Sequence, residues 1–89
     1  MANHASAEKR NRQRITRTER NKRIRSAVRS AVKKARTALE SGKAQTAKAP
    51  VAEASKALAR AASKGVLHVR TAARTTSRIE AALSKLARG

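Results

Sequence analysis

A chain of 89 residues holds one small domain, and its 23 Lys and Arg against five acidic residues leave a formal net charge of +18. The five acids are all Glu, Cys is absent and no aromatic residue occurs. These facts exclude disulfides and thiolate metal sites, and they exclude the stacking of bases on Phe, Tyr or Trp by which single-strand modules work.

The charge is unevenly spread. Residues 1–36 carry 13 basic residues and two Glu, a net of +11, while residues 37–65 and 66–89 carry +3 and +4. Such a density repels itself unless a polyanion neutralises it, and RNA, DNA and an anionic membrane are the choices. A membrane-surface helix needs a broad apolar face, yet residues 1–23 contain one large aliphatic besides Met1, Ile15. No stretch resembles a signal peptide or a membrane span, so a cytoplasmic protein is expected. Leu, Ile and Val total 13 residues, a fraction low enough to thin any core, whereas Ala supplies 21 and favours helix strongly. Helices are expected to form readily around a sparse core.

In chain order, the first helix is predicted over about residues 6–41, capped by the Ser6 hydroxyl, with Glu8 at the positive end of its dipole. From Ile24 an apolar stripe appears: Ile24, Val28, Val32, Ala35 and Leu39 recur at steps of three or four. No stripe precedes Ile24, so the first half has no protein core to join. It is either disordered when free or laid against a partner. Gly42 suits a left-handed helix end. The second helix is predicted over about 44–64, with Val51, Ala54, Leu58 and Ala61 inward. Pro50 makes Lys43 to Ala49 either a kinked opening turn or a loop. After Gly65, a third helix is predicted over about 68–87, with a seam of Val69, Ala72, Thr76, Ile79, Leu83 and Leu86. The fold class is therefore all-α, a single domain of residues 1–89. It is a three-helix bundle with a long, protruding, basic amino-terminal helix.

The cations fall in rows. Lys22, Arg25, Arg29, Lys33 and Arg36 recur at steps of three or four, about 120° around the first helix from its apolar stripe at ~100° per residue. Upstream, Lys9, Arg10, Arg14 and Arg17, with Arg12, Arg20 and Arg23, surround the helix. Arg70, Arg74 and Arg78 form a ladder away from the third helix's seam, with Lys85 and Arg88 beyond. Charge runs are usually solvated surface, but few Glu stand within reach here, and each like-charge pair at this spacing costs a few tenths of a kcal/mol. Rows of this kind point to phosphates. Arg outnumbers Lys, 14 to nine, and guanidinium suits bidentate phosphate contacts. Without aromatics, recognition is of backbone and shape, as for folded RNA or non-specific DNA. With ~6–10 phosphate contacts, affinity should fall ~10³–10⁵-fold between about 50 and 200 mM salt. No catalytic, cofactor or metal site can be assembled: His4 and His68 lack Cys or acidic partners at ligand spacing, and neither a triad nor a phosphate loop exists. His68 reads as a helix-start residue or a phosphate contact.

These segments resemble the bacterial small-subunit ribosomal protein twenty family (bS20). The resemblance rests on Ala2-Asn3, Ser6-Ala7, Lys9-Arg10, Asn21 and Arg25-Ser26 through Arg29. Its most specific run is Ala61-Ala62-Ser63-Lys64-Gly65-Val66-Leu67-His68, followed by Ala72-Ala73-Arg74 and Ser77-Arg78-Ile79. It covers essentially the whole chain. It implies a three-helix structural constituent of the small ribosomal subunit that binds 16S ribosomal RNA directly and early in assembly. The implied sites are the RNA's 5′ domain and 3′ minor domain, beside other small-subunit components, with no membrane or small-molecule substrate. By position, Lys9, Arg10, Arg29, Lys33, Lys64, His68, Arg74 and Arg78 match RNA-facing sites of the family. Two departures stand out. Val69-Arg70 replaces the usual Lys-Asn, and Pro50 replaces an ordinary helical residue. The rival expectation is a nucleoid-type DNA-binding protein. Such proteins tend to Lys-, Ala- and Pro-rich tails without sustained packing patterns.

Overall fold

The computed structural model describes the backbone of residues 2–89 and the side chains from residue 5 onward. It contains three helices, α1 (Ala2–Glu40), α2 (Ala44–Ser63) and α3 (Val69–Arg88). No strand occurs among the described residues. The fold is all-α, and α1, 39 residues long, spans ~58 Å at ~1.5 Å per residue. The molecule measures 68 × 20 × 13 Å along its principal axes.

α2 is the middle element. It packs along both α1 and α3, which barely meet each other. Its buried residues are Ala47, Val51, Ala54, Leu58 and Ala61, a single face at helical spacing. Opposite them, α1 contributes buried Val28 and Ala35 with half-buried Ile24, Val32 and Leu39, so its stripe packs as its spacing predicts. Among the described residues, only five large aliphatics are buried: Val28, Val51, Leu58, Val66 and Ile79. The remainder of the core is Ala. Ala35, Ala47, Ala54 and Ala61 are fully inaccessible, and side chains this short let helices approach closely. Residues 5–20 of α1 are exposed throughout and project beyond the bundle.

Two local expectations are corrected, and one left open is decided. α1 is already helical at Ala2, so Ser6 lies within the helix and caps nothing, and no acid stands in the first turn. Ala2 and Ala5 are strong helix formers, and the helix runs past the nominal cap. α2 is helical from Ala44 straight through Pro50, as its predicted span has it, and of the two readings of Lys43 to Ala49 the loop is ruled out. The carbonyl that Pro50 leaves without an amide partner belongs to Thr46, in an exposed first turn where water can satisfy it. Val69, placed in the α3 seam by its spacing, is 66% exposed. It is the first residue of α3 and lies off the end of the contact with α2. The rest of that seam does face inward: Ala72 and Ile79 are buried, and Thr76, Leu83 and Leu86 are half-buried. One side-chain hydrogen bond ties α2 to α3, from the Ser55 hydroxyl to Glu80 Oε1 at 3.1 Å.

The turn joining α2 to α3 is closely specified. Gly65 has φ +75°, a region that costs other L-residues energy. The Val66 amide donates to Ala61 O at 2.9 Å and the Gly65 amide to Ala62 O at 3.0 Å. This is the paired bonding that ends a helix at a left-handed residue, and buried Val66 supplies its hydrophobic contact. Gly42 ends α1 similarly at φ +78°, its amide donating to Leu39 O at 3.1 Å.

Candidate nucleic-acid interface

The expected site residues fall into three groups. Lys9, Arg10, Arg14 and Arg17 sit on the projecting half of α1, all exposed. Their distribution around the helix leaves no side uncharged, and Ile15, half exposed, is the one large apolar residue there. Local hydrogen bonds set the polar side chains. Thr16 and Thr18 hydroxyls donate back to the carbonyls of Arg12 and Arg14 at 3.0 and 2.8 Å. Arg14 Nη2 donates to Asn11 Oδ1 at 3.0 Å and Arg20 Nη2 to Asn21 Oδ1 at 3.5 Å. Each of these two guanidiniums keeps most of its five donors for an outside acceptor.

The second group, Lys22, Arg25, Arg29 and Lys33, is likewise exposed and continues toward Arg36 along one flank of the buried stripe. Arg29, Lys33 and Arg36 form one wall of an open cleft between α1 and α3, with Thr71 and Thr75 on the opposite wall. The cleft exists because both outer helices rest on α2 without closing on each other.

The third group gathers at the α2–α3 turn and along α3. Lys64 is the last-turn cap of α2 and His68 the cap of α3. His68 Nδ1 accepts from the Arg70 amide at 3.1 Å, taking one of the amides that a helix start leaves free. A nitrogen that accepts cannot carry the proton in the neutral ring, so Nε2–H points away as a donor. Arg70, Arg74 and Arg78 are exposed on the side of α3 turned from its buried Ala72 and Ile79. Sequence reasoning placed Arg36 in the row without selecting it, and it missed Thr71 and Thr75. Their only sequence signal is helical offset: three and four residues on from His68 and Thr71, they fall between the seam and the Arg ladder. Among the described residues, no cluster of His, Cys, Asp or Glu can hold a metal ion, and no helix is long and apolar enough to cross a membrane.

A slender helical plate with exposed guanidinium rows along its long axis belongs to the class of proteins built to lie against a polyanion. The model of the ribosomal protein S20 family matches residues 2–84. The chain is 60% identical over 85 residues to the small ribosomal subunit protein bS20 of Sorangium cellulosum, covering 96% of this chain and 89% of that one. It is 49% identical over 87 residues to bS20 of Anaeromyxobacter sp. strain Fw109-5, covering 98% and 97%. With bS20 of Maridesulfovibrio salexigens it shares 44% over 87 residues, covering 98% and 100%. The chain belongs to the ribosomal protein S20 family, whose members are structural constituents of the ribosome and not enzymes.

Proposed function

We propose that this protein binds 16S ribosomal RNA directly within the small subunit, in the cytoplasm, and helps it assemble by neutralising phosphate backbones that pack together. The observation that carries the reading is the run of exposed cations from Lys9 to Arg36 along one continuous helix. At ~1.5 Å per residue that run is ~40 Å long, enough to follow phosphates across more than one RNA helix. Rigid helices hold those charges in place before binding, so little ordering is required in the bundle half. The projecting half, with no core to join, gains its stability from the RNA. In this reading α1 lies among helices of the 5′ domain and reaches the 3′ minor domain. Lys64, His68, Arg70, Arg74 and Arg78 form a second contact.

Chemical footprinting of small-subunit RNA with and without the protein tests this, with protection expected in those two domains. Binding to a 16S 5′-domain fragment no tighter than to random duplex RNA at about 150 mM salt would overturn the specific reading. Arg74→Ala should weaken RNA binding and lower the slope of log affinity against log salt by ~0.7–0.9, the loss of one phosphate contact. Its helical melting curve should be unchanged. A nucleoid role predicts instead that the protein sediments with DNA and not with small subunits.

A further inference from the structure

We propose that the cleft between α1 and α3 seats a single unstacked nucleotide of the bound RNA. The inference rests on the RNA-binding reading above and adds to it a place where a base, not only a backbone, is held.

The cleft is open to solvent and has a volume of about 610 Å³. Its floor is aliphatic: Val28 and Leu58, 8% and 2% exposed, flanked by half-buried Val32 and Leu67. Its two walls differ in chemistry. On the α1 side, Arg29, Lys33 and Arg36 present cations; on the α3 side, Thr71 and Thr75 present hydroxyls. The Thr75 hydroxyl donates to Thr71 O at 3.1 Å, which leaves its oxygen to accept from a base N–H. An apolar floor, a cationic wall and a hydroxyl wall match the three parts of a nucleotide: base face, phosphate and base edge. Glu40 lies on the same α1 wall beyond Arg36 and repels a second phosphate. The phosphate is thereby directed to Arg29 and Lys33 and the base to the Leu67 end.

The aliphatic floor does here what an aromatic platform does in sheet modules, with burial of the base face as the driving term. A protein partner fits less well. A docking helix requires anchors repeated over two turns or more, and this floor offers four side chains in one patch. Among the described residues, the exposed large hydrophobics are Ile15 and Val69, and neither lines the cleft.

The test is methyl NMR on the full-length protein titrated with nucleoside 5′-monophosphates, with ribose 5-phosphate as the base-free control. The nucleotides should move the Leu67 and Val32 methyls upfield through the ring current, saturably in the millimolar range. Ribose 5-phosphate should leave those methyls in place. Thr71→Phe, at an exposed position beside the floor, should weaken the nucleotide response at least about ten-fold by filling the space. Ala52→Phe, exposed on the outer side of α2, should not weaken it. Silent floor methyls, an equal response to ribose 5-phosphate, or a response only to an acidic amphipathic peptide would each overturn the proposal. Duplex RNA binding measured on the same sample separates the two readings. Retained binding with silent methyls sinks the cleft alone, whereas lost binding sinks the reading beneath it.

Discussion

Replacing Gly65 with L-alanine isolates one energetic term. The residue has φ +75°, and a Cβ built on it meets no atom within 4 Å. No steric contact with the rest of the protein therefore contributes, and the backbone penalty stands alone. For an L-residue in the left-handed region that penalty is roughly 1–2 kcal/mol. Alanine also restricts the unfolded chain, which returns about 0.4–1 kcal/mol, so Gly65→Ala should destabilise the fold by about 1 kcal/mol. In a domain of this size that lowers the melting temperature by roughly 4–8 °C, read by helical circular dichroism on RNA-free protein. D-alanine, introduced by chemical synthesis, adopts positive φ without the penalty. It should leave stability unchanged or raise it by a few tenths of a kcal/mol up to about 1 kcal/mol. If the D-variant were destabilised as much as the L-variant, the cause would be packing or a lost amide bond, and the backbone argument would be refuted.

Leu58→Ala should cost ~2–4 kcal/mol, because Leu58 is 2% exposed within the core cluster to which all three helices contribute. Leu83→Ala, at a half-buried site, should cost distinctly less in the same urea titration. His68→Ala removes the acceptor for the Arg70 amide and should cost about 0.5–2 kcal/mol, whereas His68→Asn should restore most of it. Imidazole ¹⁵N shifts of the neutral ring should report the Nε2–H form. Residues 5–20, exposed throughout, should exchange their amides rapidly in free protein and slowly once RNA is bound. Strong protection without RNA would show that this segment holds its helix unaided.

Much of the fold was legible because the packing stripes keep helical period. The stripe from Ile24 to Leu39 packs on α2, and the one from Val51 to Ala61 joins the same core from α2, as their spacing demands. What escaped was set by competition or by tertiary position. Ser6 is a good cap in isolation, but the helix already runs through the residues before it. Ala47 is buried in the stretch that Pro50 left open between an opening helical turn and a loop, and Thr46, whose carbonyl loses its amide partner, is exposed there. Val69 keeps the seam's period yet is exposed at the first position of α3. Periodicity gives the direction of a side chain and not whether anything stands opposite. The cleft was invisible for the same reason. That Arg29, Lys33, Thr71 and Thr75 line one space depends on α1 and α3 both resting on α2 while barely meeting each other. No pattern within a single helix encodes that distance.

The molecule is thin, its shortest extent being 13 Å. That exceeds the ~10 Å screening length at about 0.1 M salt but lies well inside the ~30 Å that holds at about 0.01 M. Cations on the two broad sides are therefore largely screened from one another at the higher salt and sense each other at the lower. Phosphates brought to one side at low salt relieve repulsion felt through the thickness and make the other side more receptive. The protein should engage two RNA segments independently near about 0.1 M salt and cooperatively as ionic strength falls.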